Sequence, residues 1–247
     1  MTQAVLILAG QREGVVDPLC EMAGVTHKAE IPVAGVPMLR RVVSALTAAG
    51  LSEKLYISGY SVSKLKQVSN GSGPADSVAL GLKDIAQYPC LVTTCDHALL
   101  TADIVQSFIE GAQKAGTDIC VGFATETVIQ AEFPETKRTY LRFSDEAVSG
   151  CNLFYIANEE GAKAIAFWQS VQHLRKNPFK LARKVGVGIG LKYAIGRLSL
   201  LGAFDYAAKR IGITAAPVLL PFAEAAIDVD KPADLELVEA ILQTRIS

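Results

Sequence analysis

Along the chain, short unbroken apolar runs alternate with stretches whose apolar residues recur at helical spacing. Residues 4–9 (AVLILA) are apolar throughout and stop at Gly10, the pattern of a strand covered on both faces. Residues 37–50 set Met38, Val42, Ala45 and Leu46 on one helical face and close on Gly50. Further strands are expected at 55–58, 90–95 (CLVTTC) and 118–124. Helices are expected at 77–85, after the turn-rich loop 70–74, and at 102–115. Strands alternating with helices in this way predict a parallel sheet with helices on both faces.

Beyond residue 124 the rhythm changes. Residues 137–143 (KRTYLRF) alternate and 151–156 are apolar, which predicts two more strands. Residues 159–174 and 231–244 read as helices, the second with Asp230 as its N-cap and Pro232 in its first turn. No internal repeat or low-complexity tract interrupts the 247 residues, and we read them as one domain.

Charge sharpens the picture. The chain carries 24 basic and 25 acidic side chains, a net charge of −1, which argues against a generic nucleic-acid binder. Residues 168–213 depart from this balance. They hold nine basic residues (Arg175, Lys176, Lys180, Arg183, Lys184, Lys192, Arg197, Lys209, Arg210) against one acid, Asp205, so the rest of the chain nets −9. Three readings of this basic helical excursion, near 175–212, stand open: a lid over a phosphorylated substrate, a peripheral contact with an anionic membrane, or a solvated excursion at a homodimer interface. It is not a spanning helix, which needs about 20 mostly apolar residues; residues 185–203 contain Lys192, Arg197 and five glycines. The start of the chain lacks the marks of a signal peptide, and the five cysteines have no metal-ligand spacing. The expectation is reduced, buried thiols in a cytoplasmic protein.

In a parallel α/β sheet, ligands bind beyond the carboxyl ends of the strands. Three features fall at such ends. The first is Leu8-Ala9-Gly10-Gln11-Arg12 with Lys28 further on, where glycine lets backbone approach a phosphate and the cations supply anion-binding charge. It matches neither a P-loop nor GxGxxG. The second is Asp96, directly after CLVTTC, where a carboxylate suits Mg²⁺ or else caps the following turn. Thr101 and Asp103 are the competing caps for the helix beyond. The third is Ile227-Asp228-Val229-Asp230: if extended, it puts both carboxylates on one side. His27 and His97 adjoin Lys28 and Asp96, but no catalytic triad is apparent.

These motifs together resemble the MobA-like nucleotidyltransferase family over essentially the whole chain. The family's opening LAGG, Arg, Lys, Pro and G-x-P-[LM] read here as Leu8-Ala9-Gly10-Gln11-Arg12, Lys28, Pro32 and Gly35-Val36-Pro37-Met38. Its Gly-rich loop before S-V-x-x-G-L reads Gly73-Pro74-Ala75-Asp76-Ser77-Val78-Ala79-Leu80-Gly81-Leu82. Its C-D-x-x-x-L-T spans Cys95 to Thr101, and its D-x-D-x-P-x-D-L spans Asp228 to Leu235. Gln11 replaces the second glycine of the opening pair, and extra residues separate Arg12 from Lys28.

The resemblance implies a three-layer α/β/α, Rossmann-like, mostly parallel sheet of the nucleotide-diphospho-sugar transferase type. Residues 1–124 form its nucleotide-binding half and 125–247 its acceptor-binding half. It implies that Leu8, Ala9, Gly10, Gln11, Gly73 and Ser77 line the nucleotide, and that Arg12 and Lys28 grip a triphosphate. It further implies that Asp96 with Asp228 or Asp230 would hold Mg²⁺ and that Gly150 and Asn152 would face the acceptor. The implied activity is transfer of NMP from an NTP to a phosphorylated acceptor with release of pyrophosphate. Two other classes compete: a non-catalytic, regulatory nucleotide-binding protein, suggested by Gln11, and an NDP-sugar glycosyltransferase. The glycosyltransferase reading expects a mid-chain DxD, whereas Asp228-Val229-Asp230 lies near the end.

Overall fold

The computed structural model describes residues 3–11, 14, 17–136, 138–171 and 186–245. Strand β1 (Ala4–Leu8) is buried along its whole length, as an apolar run without alternation requires. After it come helix α1 (Pro18–Ala23), a short hairpin of β2 (Pro32–Val33) and β3 (Val36–Pro37), and helix α2 (Met38–Ala48). Strands β4 (Leu55–Ser58) and β5 (Lys66–Val68) lead to helix α3 (Pro74–Ile85), then β6 (Cys90–Thr94), α4 (Ala102–Ala115), β7 (Ile119–Thr125) and α5 (Glu126–Glu132). The remainder supplies β8 (Leu141–Arg142), β9 (Ala147–Ile156), α6 (Glu159–Val171), α7 (Val187–Ala194), α8 (Leu200–Ile211), β10 (Ala215–Leu219) and α9 (Pro232–Thr244).

The sheet runs β10-β7-β9-β6-β1-β4-β5, with β8 paired to β9. It is parallel except at β9, which lies antiparallel to β6, β7 and β8. The mostly parallel sheet with flanking helices is therefore as expected. Alternation along β1 divides the core in two. Val5 and Ile7 pack towards Val42 and Leu46 of α2 and Ile104 and Phe108 of α4, while Ala4 and Leu6 pack towards Val78 and Leu82 of α3 and Ile165 of α6. A third cluster joins Leu19, Ile31, Val33 and Met38 to Leu99, Ile227, Val229 and Val238, anchoring the residue 17–38 region against α9.

Register decides where the chain leaves the sheet. Leu8 pairs with Ser58 of β4 and Thr94 of β6, so Gly10, Gly59 and Asp96 emerge at one level. Gly59 has a left-handed φ of +86°, and a Cβ there would stand 2.4 Å from the Cα of Gly10. Two loop backbones can pass this closely only with glycine at that position.

Several sequence expectations need correction. The strand predicted at 137–143 reduces, among the described residues, to Leu141–Arg142. Helix α3 begins at Pro74 rather than Ser77, because proline suits the first helical turn. Asp230 is not the N-cap of the last helix. Lys231 takes that position, and the Asp234 carboxylate accepts the backbone N–H of both Asp230 (3.2 Å) and Lys231 (3.1 Å). Of the basic excursion, α7 and α8 are described, whereas Arg175, Lys176, Lys180, Arg183 and Lys184 lie outside the described residues, as does Arg12. All five cysteines are free and buried. No described helix is long and apolar enough to cross a membrane.

Candidate active site

The site grows from the backbone. Past β6, the carbonyl of Asp96 accepts the N–H of Val229 at 3.1 Å, which sews the end of that strand to the stretch before α9. That stretch is extended, so Ile227 and Val229 are buried in the third cluster while Asp228 and Asp230 turn the other way. Carboxylates more than 130 residues apart are thereby brought together: one oxygen of each of Asp96, Asp228 and Asp230 lies within 4.8 Å of the others. Asp96 does not cap the next helix; Thr101 does so, its Oγ1 accepting from Ile104 N at 3.2 Å.

Two cations enter this acidic cluster. Lys28, the first residue of a 3₁₀ turn (Lys28–Glu30), places Nζ 2.8 Å from Asp96 Oδ2 and 2.7 Å from Asp230 Oδ1. Burial alone would lower its pKa, but the two carboxylates outweigh burial and raise it, so the ammonium stays charged. Arg138 was missed by the sequence analysis, which read its surroundings as a strand. Its guanidinium donates to Asp228 Oδ1 and to the carbonyl of Ala226, and lies 3.7 Å from Asp234 Oδ1. Burial pushes the Asp228 carboxyl up against the opposing pull of Arg138. For Asp230, burial is outweighed by the hydrogen bond from Lys28, and its pKa falls.

Strand β9 contributes Asn152 through a bulge. Val121 pairs with Phe154 but Phe123 pairs with Gly150, so three residues of β9 stand opposite Gly122. Asn152, at its centre, adopts φ +50°, which asparagine tolerates better than most residues, and its Nδ2 donates to Asp228 Oδ2 at 3.2 Å. Gly150 is exposed on the same strand.

Across the edge of the sheet, the loop before α3 folds over Gly10. Asn70 Oδ1 accepts from the hydroxyl of Ser77 at 3.0 Å and would lie 3.1 Å from a Cβ on Gly10, so a side chain there would crowd it. Gly71 N donates to Ser77 Oγ at 3.1 Å, and Gly73 precedes the first turn of α3. Asn70 went unassigned in the sequence reading, although it opens the loop that drew attention. Leu8 and Ala9 are nearly buried, Leu8 in the cluster that includes α3 and Ala9 in the one that includes α2 and α4. Gln11 turns towards Thr26 and Lys28. His27 caps the 3₁₀ turn, its Nδ1 accepting from Ala29 N at 3.1 Å, and stacks near Tyr60; His97 is buried in the core.

Residues 6–175 match the family described as the MobA-like NTP transferase domain. The chain belongs to this family. As a MobA-like NTP transferase it is an enzyme of the nucleotidyltransferase class. A hypothetical transferase from Thermus thermophilus shares 31% identity with it, with a TM-score of 0.83 over 95% of this chain and 100% of that one. Two more distant structures share the fold. One is 2-C-methyl-D-erythritol 4-phosphate cytidylyltransferase, also from Thermus thermophilus, at 14% identity and a TM-score of 0.56 over 98% of this chain and 100% of that one. The other is molybdopterin-guanine dinucleotide biosynthesis protein A from Archaeoglobus fulgidus, at 12% identity and 0.53 over 98% and 100%. No curated protein sequence matches the chain significantly.

Proposed function

We propose that this nucleotidyltransferase moves NMP from an NTP to a phosphorylated small-molecule acceptor and releases pyrophosphate, with Mg²⁺ as its metal. The observation that carries the reading is the convergence of Asp96, Asp228 and Asp230 around Lys28, beside the glycine-floored loops at the ends of β1 and β4.

The residues fit such a metal. The donors are hard carboxylate oxygens, which suit Mg²⁺, and Asp96 Oδ1 is buried without a hydrogen-bond partner among the described residues. Asp96, with Asp228 or Asp230, would hold the ion, which would supply positive charge to the phosphates. An acceptor phosphate oxygen attacks the α-phosphorus, a P–O bond forms, the bond to the β-phosphate oxygen breaks, and pyrophosphate leaves. Both reactants are anions, so catalysis consists of positioning and charge neutralisation. Lys28 serves both, as a permanently charged donor next to the phosphate path. Gly10, Gly73 and Ser77 border the space for the nucleotide, and Gly150 and Asn152 border that for the acceptor. The acceptor phosphate is already ionised near neutral pH, so no general base is needed, consistent with the structural placement of His27 and His97.

The reading is tested by a pyrophosphate-release screen of four NTPs against phosphorylated sugars, alcohols and cofactor precursors, with and without Mg²⁺. Release that needs one NTP, one acceptor class and the metal supports it; silence across the panel counts against it.

A further inference from the structure

Gln11 occupies the place of the second glycine in the opening motif, and its side chain has a specific job in the fold. Gln11 Oε1 accepts the backbone N–H of Lys28 at 2.5 Å, and Gln11 Nε2 donates to the carbonyl of Thr26 at 3.2 Å. In a parallel ladder, a strand residue makes this same pair of bonds to the two residues flanking its neighbour. The carboxamide thus imitates one more rung, paired across to His27. The thiol of Cys20, on α1, lies 3.7 Å from the same Oε1.

The consequence concerns Lys28. Gln11 lies just past the end of β1, and the chain is back beside it at Thr26 and Lys28, after α1. A glycine at position 11 could not make these two bonds, because it has no side chain to reach Thr26 and Lys28. Gln11 links the rigid end of β1 to the first residue of the 3₁₀ turn, which aims Nζ between Asp96 and Asp230.

We propose that Gln11 is a positioning residue: its carboxamide fixes the backbone of Lys28, and through it the ammonium, without reading the nucleotide. Its effect on turnover rests on the function proposed above; its effect on Lys28 does not.

The decisive experiment measures lysine acetylation rates, residue by residue, by mass spectrometry of the intact folded protein. Gln11→Ala raises labelling of Lys28 several-fold over wild type, while Lys54 and Lys163 keep their rates. Gln11→Glu retains an acceptor for the Lys28 N–H but cannot donate to Thr26, so its Lys28 labelling falls between the two. If Gln11→Ala loses its circular dichroism spectrum, the Gln11→Glu comparison decides. Wild-type labelling of Lys28 in the folded variants overturns the proposal. In pyrophosphate release, Gln11→Ala lowers kcat/KM by one common factor for every NTP used and adds no further loss to Lys28→Ala. A loss confined to one base would show that Gln11 reads the nucleotide and would also overturn it. A wild-type protein that releases no pyrophosphate defeats the functional reading, and the labelling still decides on Gln11.

Discussion

Lys28 and Arg138 divide the acidic cluster between them, and they differ in what their removal does. Lys28 reaches Asp96 and the more exposed Asp230 from a 3₁₀ turn, so Lys28→Ala takes away the charge proposed to bind phosphate while the fold persists. We expect pyrophosphate release to fall about a hundredfold or more, the scale set by loss of a preorganised electrostatic contact. Asp96→Ala should do the same, and both should keep the wild-type circular dichroism spectrum; near-normal turnover in either would reject the assigned site. Arg138 is buried against Asp228 and Asp234, so Arg138→Ala strands two carboxylates with little water. Its cost should show as stability, about 3 kcal/mol from the midpoint of a urea titration. An unshifted midpoint would mean that Arg138 is a substrate contact rather than a structural counter-ion. The carboxylates were legible in the sequence because each follows a strand or sits at alternating positions. Arg138 was not legible, since its partner Asp228 lies 90 positions further along and no local spacing announces it.

At the level of elements, the legible parts were those with a long periodic signal. Helix α4 and strands β1, β4 and β6 fall within a residue of expectation, because their apolar pattern extends over whole elements. Helix α1 has only six residues, too few to show a period. Strand β10 (AAPVL) is poor in strand formers and contains Pro217, tolerable because it lies at the sheet edge. The β9 bulge was also invisible, yet it aims Asn152 at Asp228. Its two roles can be separated. Asn152→Gly accepts the positive φ freely but loses the bond to Asp228, so turnover should fall while the melting temperature stays close to wild type. Asn152→Ala loses the bond and also carries a strained φ, costing about 1 kcal/mol more than the glycine variant. Equal melting temperatures for the two would show that the bulge relaxes when its side chain is cut back.

For the whole molecule, pH reaches the fold through His97, which the loop after β6 carries into the core next to Asp96. Burial pushes the His97 pKa down to about 4, against about 6.5 in an unfolded chain. Between those values the unfolded state binds the proton and the folded state does not, so folding is favoured as pH rises. The contribution is fully present above about pH 6.5 and is lost progressively as pH falls towards 4, amounting to about 3 kcal/mol over the whole window. Asp230, whose carboxyl is held low by Lys28, acts in the same sense; Asp228, whose carboxyl is raised by burial, acts in the opposite one. Replacing the imidazole with a side chain that does not titrate isolates its share. In urea titrations at half-unit intervals, His97→Gln should start less stable near pH 7 and lose less on acidification, its slope reduced by close to one proton. If wild type and His97→Gln run parallel from pH 6.5 to 4, the imidazole is charged in the folded protein or reached by water, and the packing of the loop that presents Asp96 must be looser than its burial indicates.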